Sequence, residues 1–228
     1  MGVFAGPNVV DNNLVLYLDA ANTQSYTGSG STWTDLSGEG NNGTISGATY
    51  SSSDDGYFDF DGTNDDVNIG NVLNQYPITI SAWAKTSSTA AGANIVNKYT
   101  AGSANGYRLS FSSEGIGGYY FRDMSNRTNN YDTEYGTVSL NTWYHAVMTV
   151  DSSGIKFYLN ASLVGSNGWT GTAQAPTTTT PLRIGFYPYN SGGAYYDGQI
   201  SQVSIYNKAL TATEVARNFN ALRGRYGI

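Results

Sequence analysis

Apolar and polar residues alternate along this chain in short bursts. "LVLYLDA" (14–20), "YFDFDG" (57–62), "DVNIGN" (66–71), "ITISAWAK" (78–85) and "YRLSFSS" (107–113) open the series. "WYHAVMTVD" (143–151), "IKFYLN" (155–160), "LRIGFY" (182–187) and "QISQVSIYN" (199–207) continue it. Clusters of Gly, Asn, Ser and Asp separate them. Period two over a few residues marks half-buried strands, and many such strands at short spacing predict an antiparallel sandwich. Alternation also assigns faces. Ile155, Phe157 and Leu159 share one side of their strand, with Lys156, Tyr158 and Asn160 on the other. Phe58 and Phe60 likewise share a face, leaving Asp59 opposite and Asp61 at the strand's exit.

One stretch has helical period instead. In "ALTATEVARNFNALRG", Thr211 and Glu214 form a capping box, Leu210 and Val215 a hydrophobic staple, and Val215, Phe219 and Leu222 an apolar stripe. The spacing predicts a helix over 211–223 that stops at Gly224 and shields an edge or an end of the sandwich. The loops "SGEGNNGTISG", "TAGSANG" and "SNGWTGTAQAPTTTTP" are too short to be interdomain linkers. Residues 1–228 therefore read as one domain, with 1–13 as an N-terminal extension.

Composition narrows the function. A net charge of −6 disfavours nucleic acid, whose binding draws on clustered Lys and Arg. Cysteine is absent, so there is no disulfide framework and no thiolate nucleophile. No apolar run suggests membrane insertion, and "MGVFAGPNVVDNN" lacks the cationic and apolar regions of a signal peptide. "MGVFAG" has Gly6 where a myristoylation site takes Ser or Thr.

Read in order, the pieces "LVLYLDA", "WTDLSGEGNNGT" (33–44), "FDFDGTNDDVNIG" (58–70), "ITISAWAK", "WYHAVMTVD" with "GIKFYLN", and "DGQISQVSIYNKALTATEV" (197–215) resemble the concanavalin A-like, LamG-like jelly roll. That resemblance implies an all-β fold of two antiparallel sheets, about six or seven strands each, packed face to face with first and last strands adjacent. A short C-terminal α-helix completes it. The segments "NVVDNNLVLYLDAANTQSYTGSGSTWTDLSG" and "NFNALRGRYGI" further resemble modules in structural proteins of tailed bacteriophages. This implies a virion location, with a secreted or cell-surface one as the alternative. Two departures stand out. Asn160-Ala161 replaces the Asn-Gly turn often found there, which predicts a longer loop, and Ser201 and Gln202 stand where the family often has an acidic pair.

Candidate chemistry is sparse. Hydrolases of this fold use carboxylates spaced along one strand, yet none of Glu39, Glu114, Glu134 and Glu214 has another carboxylate two or four residues on. Asp59 and Asp61 have strand spacing, but Asp61 meets Gly62 at a turn, so no catalytic residue is expected. His145, the single histidine, is expected to be structural, and "SSDDGYF" (52–58) departs from a sialidase Asp-box at Tyr57 and Phe58 and reads as a turn. The resemblance implies a structural calcium ion where Asp19, Asp61, the Gly62 carbonyl and Asp197 would converge; the alternative is that these aspartates cap turns. Asp65 and Asp66 are expected to be solvated turn residues. Trp169, Tyr187, Tyr189, Asn190 and Tyr195 offer rings and polar groups of the kind that bind sugars, although many tyrosines on a small β protein would decorate its surface anyway. The expectation is a non-enzymatic structural or adhesion module on a phage particle, contacting glycans and partnered by other virion proteins or by itself as a homo-oligomer. A calcium-dependent lectin outside any virion is the alternative, and a glycan hydrolase the weaker third.

Overall fold

The computed structural model describes residues 8–88, 93–99, 102, 104–129, 133–188 and 193–228. Among these, the alternation resolves into twenty strands and one α-helix. The first ten are β1 (Leu14–Asp19), β2 (Thr32–Trp33), β3 (Gly43–Ser46), β4 (Thr49–Ser51), β5 (Tyr57–Asp61), β6 (Asp66–Gly70), β7 (Ile78–Thr86), β8 (Asn94–Asn97), β9 (Gly106–Ser112) and β10 (Gly115–Asp123). Then come β11 (Asn126–Thr128), β12 (Glu134–Tyr135), β13 (Tyr144–Asp151), β14 (Gly154–Leu159), β15 (Ser162–Asn167) and β16 (Trp169–Thr170). β17 (Leu182–Ile184), β18 (Phe186–Tyr187), β19 (Ala194–Tyr195), β20 (Asp197–Tyr206) and α1 (Ala212–Leu222) close the series.

Eight strands form one antiparallel sheet, ordered β15-β14-β13-β7-β20-β5-β4, with β1 beside the second half of β20. Ten form the other, ordered β16-β11-β10-β9-β8-β17-β6-β3-β2, with β12 beside β10, while β18 and β19 pair with each other. First and last strands are adjacent, Leu18 facing Val203. Short pieces such as β2, β12 and β16 raise the strand count above the number the resemblance implied.

The core lies between the sheets, and alternation supplies it. Phe58, Phe60, Ile155, Phe157 and Leu159 are buried there, with Asp59 exposed on the other side of its strand. Trp33 and Tyr26 pack their rings against Phe58 at 4.7 and 4.8 Å. Burying one such side chain contributes about 2 to 3 kcal/mol.

The helix forms with its capping box in place, Thr211 accepting from the Glu214 N–H. Its position corrects the expectation of an edge or end cover. Leu210 and Val215 pack with Val147, Tyr158 and Tyr206, and Phe219 and Leu222 with Trp83, Trp143 and Tyr226. Several of these partners rise from β7, β13, β14 and β20, so α1 covers the outer face of the eight-stranded sheet. The outer positions of those strands mix aromatic residues with small polar ones such as Thr79, Ser81 and His145, and β7 is buried along nearly its whole length. Gly224 is not the stop either. A 3₁₀ turn over Arg223–Tyr226 follows, ending at left-handed Gly227 (φ 70°), and this extra turn stacks Tyr226 on Trp83 at 4.1 Å. Val10 joins the same layer, giving its N–H to Asn218 Oδ1 at 2.7 Å.

Two further expectations are corrected. Asn160 and Ala161 form a tight two-residue hairpin at φ 48° and 66°, with Leu159 facing Ser162, rather than a longer loop. The Asn160 carbonyl oxygen Oδ1 accepts the His145 N–H at 2.9 Å and anchors the turn. Ala161 in left-handed backbone costs about 1 kcal/mol. Asp65 and Asp66 are buried, not solvated. Asp65 Oδ2 accepts the Asp61 N–H at 2.9 Å, and burial pushes its carboxyl up; Asp66 opens β6 and pairs with Arg183. Among the described residues no helix is long and apolar enough to cross a membrane.

Candidate functional site

Of the sequence-flagged aromatic residues, Trp169 lies apart from Tyr187 and Tyr195, which share the β18–β19 hairpin. Trp169 is half-buried at the edge strand β16, its ring at 6.0 Å from Tyr76 and 5.9 Å from Tyr120 and its Nε1 donating to the Asp151 carbonyl at 2.7 Å. It helps close one side of the sandwich. Tyr187 is buried with Tyr99, Tyr119 and Phe121 on the outer face of the ten-stranded sheet. Tyr195 packs on Phe186 at 4.7 Å in the β18–β19 hairpin, and Tyr189 and Asn190 lie outside the described residues.

The four candidate calcium ligands divide as well. Asp61 faces Asp197 across β5 and β20, and a Cβ on Gly62 would come within 3.0 Å of Asp197 Cβ, so these three are neighbours. Asp19 instead faces Gln202, five residues further along β20 or roughly 16 Å of strand. Both its carboxylate oxygens accept from Arg225 Nη1 at 2.9 Å, and Tyr17 and Ala21 fill out its contacts. Asp61 Oδ1 caps its own turn, accepting the Thr63 N–H at 2.8 Å. The four residues therefore do not assemble the six to eight oxygens that calcium takes, and among the described residues no three carboxylates, histidines or cysteines group as a metal site.

His145 is buried on the outer face of the eight-stranded sheet, stacked at 5.2 Å on Trp83, with Nε2 at 2.8 Å from Ser81 Oγ. Burial lowers its pKa to about 3, so it is neutral and closed off. Asp54, in the "SSDDGYF" turn, accepts from Trp143 Nε1 at 3.0 Å.

Cross-strand register builds something else on the outer face of the ten-stranded sheet. Tyr119 faces Arg108, Arg108 faces Asn97, Asn97 faces Arg183, and Arg183 faces Asn68. Five strands thus contribute one transverse row. Ser110 and Asn94 face each other one step along. Their strand neighbours Leu109, Val96, Ile184 and Val67 are in the core, so alternation turns this set outward. Arg183 is held by Asp66, but Asn94 Oδ1, Asn97 Oδ1, Arg108 Nε and Ser110 Oγ are buried without hydrogen-bond partners. Asn97 spends its Nδ2 on the Tyr99 carbonyl at 2.8 Å. The Arg108 guanidinium lies over Tyr119 at 4.9 Å and Tyr187 at 5.6 Å. An unpartnered buried polar group costs about 1 to 3 kcal/mol, and four of them on two adjacent strands set this patch apart from the rest of the sheet. Sequence reasoning missed these residues; the visible signal was Arg108 and Ser110 alternating with Tyr107, Leu109 and Phe111 in "YRLSFSS".

Two antiparallel sheets packed face to face, with a short helix on one outer face, make this a jelly-roll sandwich. The sequence of residues 61–216 matches the family model of the concanavalin A-like lectin/glucanases superfamily, and the chain belongs to that superfamily. A search of the curated proteins finds no match. Among solved structures, domain 4 of AbnA, a GH43 extracellular arabinanase from Geobacillus stearothermophilus in complex with arabinotriose, is similar at 15% identity and TM-score 0.65, over 91% of this chain and 98% of that one. A Trypanosoma rangeli sialidase is similar at 17% identity and TM-score 0.72, over 98% of this chain but 36% of the sialidase. The binding domain of Paraclostridial Mosquitocidal Protein 1 is similar at 17% identity and TM-score 0.69, over 92% of this chain and 52% of that one. Likeness at these identities shows the fold alone, and the chain spans about a third of the sialidase and half of the toxin domain.

Proposed function

We propose that this chain is a non-enzymatic adhesion module that presents the outer face of its ten-stranded sheet to a glycan. The observation that supports this is the patch of unpartnered buried atoms on Asn94, Asn97, Arg108 and Ser110 beside the Tyr119 and Tyr187 rings. Sugar hydroxyls both donate and accept, so they can satisfy carbonyl oxygens, a hydroxyl and an N–H together, while aromatic rings suit the C–H faces of sugars. The arabinotriose held by the AbnA domain is in keeping with it. Carboxylate placement supports a binding rather than a hydrolytic role. Asp66 is engaged by Arg183, and Glu134 of β12, beside Gly117 of β10, stands five strand spacings from it, roughly 24 Å. Glycoside hydrolysis uses carboxylates roughly 5 to 10 Å apart. The likeness of both chain ends to tailed-phage structural modules supports a virion as the carrier.

The test is a glycan array probed with the full chain and with Asn94→Ala/Ser110→Ala. Wild type should bind one glycan class, and the double variant should lose about tenfold in affinity, 1.4 kcal/mol, without losing thermal stability. A wild-type chain that binds no glycan, or an undiminished double variant, overturns the reading. Cleavage of the bound glycan, seen by mass spectrometry, would contradict the non-enzymatic part. Antibody labelling of purified tailed particles should place the chain on the virion, and bare particles would remove that part.

A further inference from the structure

We infer that the glycan this face takes is acidic, with its carboxylate seated on Arg108; this rests on the reading of the face as a glycan site. Arg108 forms no ion pair among the described residues, and its Nε is buried without a partner although part of the side chain reaches solvent. Arg183, two strands away in the same row, is by contrast paired with Asp66. The rings of Tyr119 and Tyr187 at 4.9 and 5.6 Å hold the Arg108 guanidinium, and a stacked guanidinium keeps its in-plane donors available. The two terminal nitrogens, on the part of the side chain that reaches solvent, match a carboxylate with two parallel hydrogen bonds.

The neighbours define the rest of the ligand. Asn94 Oδ1 and Asn97 Oδ1 are acceptors, so beside the carboxylate they call for hydroxyl donors, and Ser110 Oγ either donates or accepts. One carboxylate flanked by hydroxyls describes a uronic or sialic acid. A polysulfated chain fits less well, because those oxygens would face more acceptors and Glu134 adds a negative charge on the same face beside Gly117. The chain's net charge of −6 gives no long-range pull on anions, so recognition is local to Arg108.

The experiment titrates the full chain calorimetrically with matched pairs: sialyllactose against lactose, and trigalacturonic acid against its methyl ester, with the same pairs on the array. The acid member of one pair should bind at least about tenfold more tightly, and which pair responds distinguishes a sialic from a uronic source. Arg108→Gln should bring the acid-to-neutral ratio to within about twofold, and Arg108→Lys, which keeps the charge but loses the fork, should fall between. Should Arg108→Gln not fold, Arg108→Lys is read alone, and an unchanged ratio there overturns the inference. Equal or tighter binding of the neutral members overturns it while leaving the glycan face standing. Absence of binding to any glycan removes both.

Discussion

The two outer faces of this sandwich carry polar groups in opposite condition. On the eight-stranded sheet, under α1, His145 is joined to Ser81, Tyr226 to Ser201, Asn218 to Tyr206, and Asp19 to Arg225. The atoms left over beneath the helix layer, His145 Nδ1 and Trp83 Nε1, belong to rings stacked under Phe219 and Tyr226, and Gln199 Oε1 of β20 is a further unpartnered atom on this sheet. On the ten-stranded sheet, polar atoms of Asn94, Asn97, Arg108 and Ser110 are as deeply placed but unpaired. The fold thus closes one face with its own helix and leaves these atoms of the other without a protein partner. Polar burial alone does not distinguish scaffold from site; the state of the hydrogen bonds does.

The largest effect should come from breaking the closed face. Arg225→Ala leaves Asp19, 1% exposed, as an unpaired buried carboxylate, and urea denaturation should show a loss of about 3 kcal/mol. Next is acid. Because burial holds the folded His145 pKa near 3 against an ordinary 6.5, its contribution is fully present above pH 6.5 and is lost as pH falls toward 3. Stability should drop by about 3 kcal/mol between pH 7.5 and 4.5 in a urea series, and His145→Gln should remove most of that dependence. Smaller is Ala161→Gly, which relieves the left-handed alanine and should raise stability by about 1 kcal/mol without touching either face. A loss on this last change would show that the tight hairpin is held differently.

Local signals carried much of the fold and little of the site. The Phe58/Phe60 face, the Thr211–Glu214 capping box and the Val215–Phe219–Leu222 stripe are written within a few residues and appear as expected. A stripe says what a helix buries but not against which surface, so packing on the sandwich is legible while the expected edge or end gives way to the outer face that Trp83, Val147 and Tyr158 present. Burial of Asp66 depends on Arg183, a partner far along the chain, and no local pattern shows it. The row from Asn68 through Arg183, Asn97 and Arg108 to Tyr119 exists through register between β6, β17, β8, β9 and β10. Each residue looks like an ordinary outward position in its own strand. Of the aromatic residues picked for sugar binding, Tyr187 borders the polar row whereas Trp169 packs at the core edge, because tyrosine and tryptophan serve packing as readily as recognition.

The most direct measurement compares two serines, Ser81 and Ser110, truncated to alanine in turn, with stability and glycan affinity measured on each. Ser81→Ala should cost about 1 to 2 kcal/mol of stability by orphaning His145 Nε2 and leave affinity unchanged. Ser110→Ala should leave stability unchanged or slightly raised while affinity falls several-fold. The account is contradicted if Ser110→Ala destabilises the fold as much as Ser81→Ala does and binding is indifferent to it.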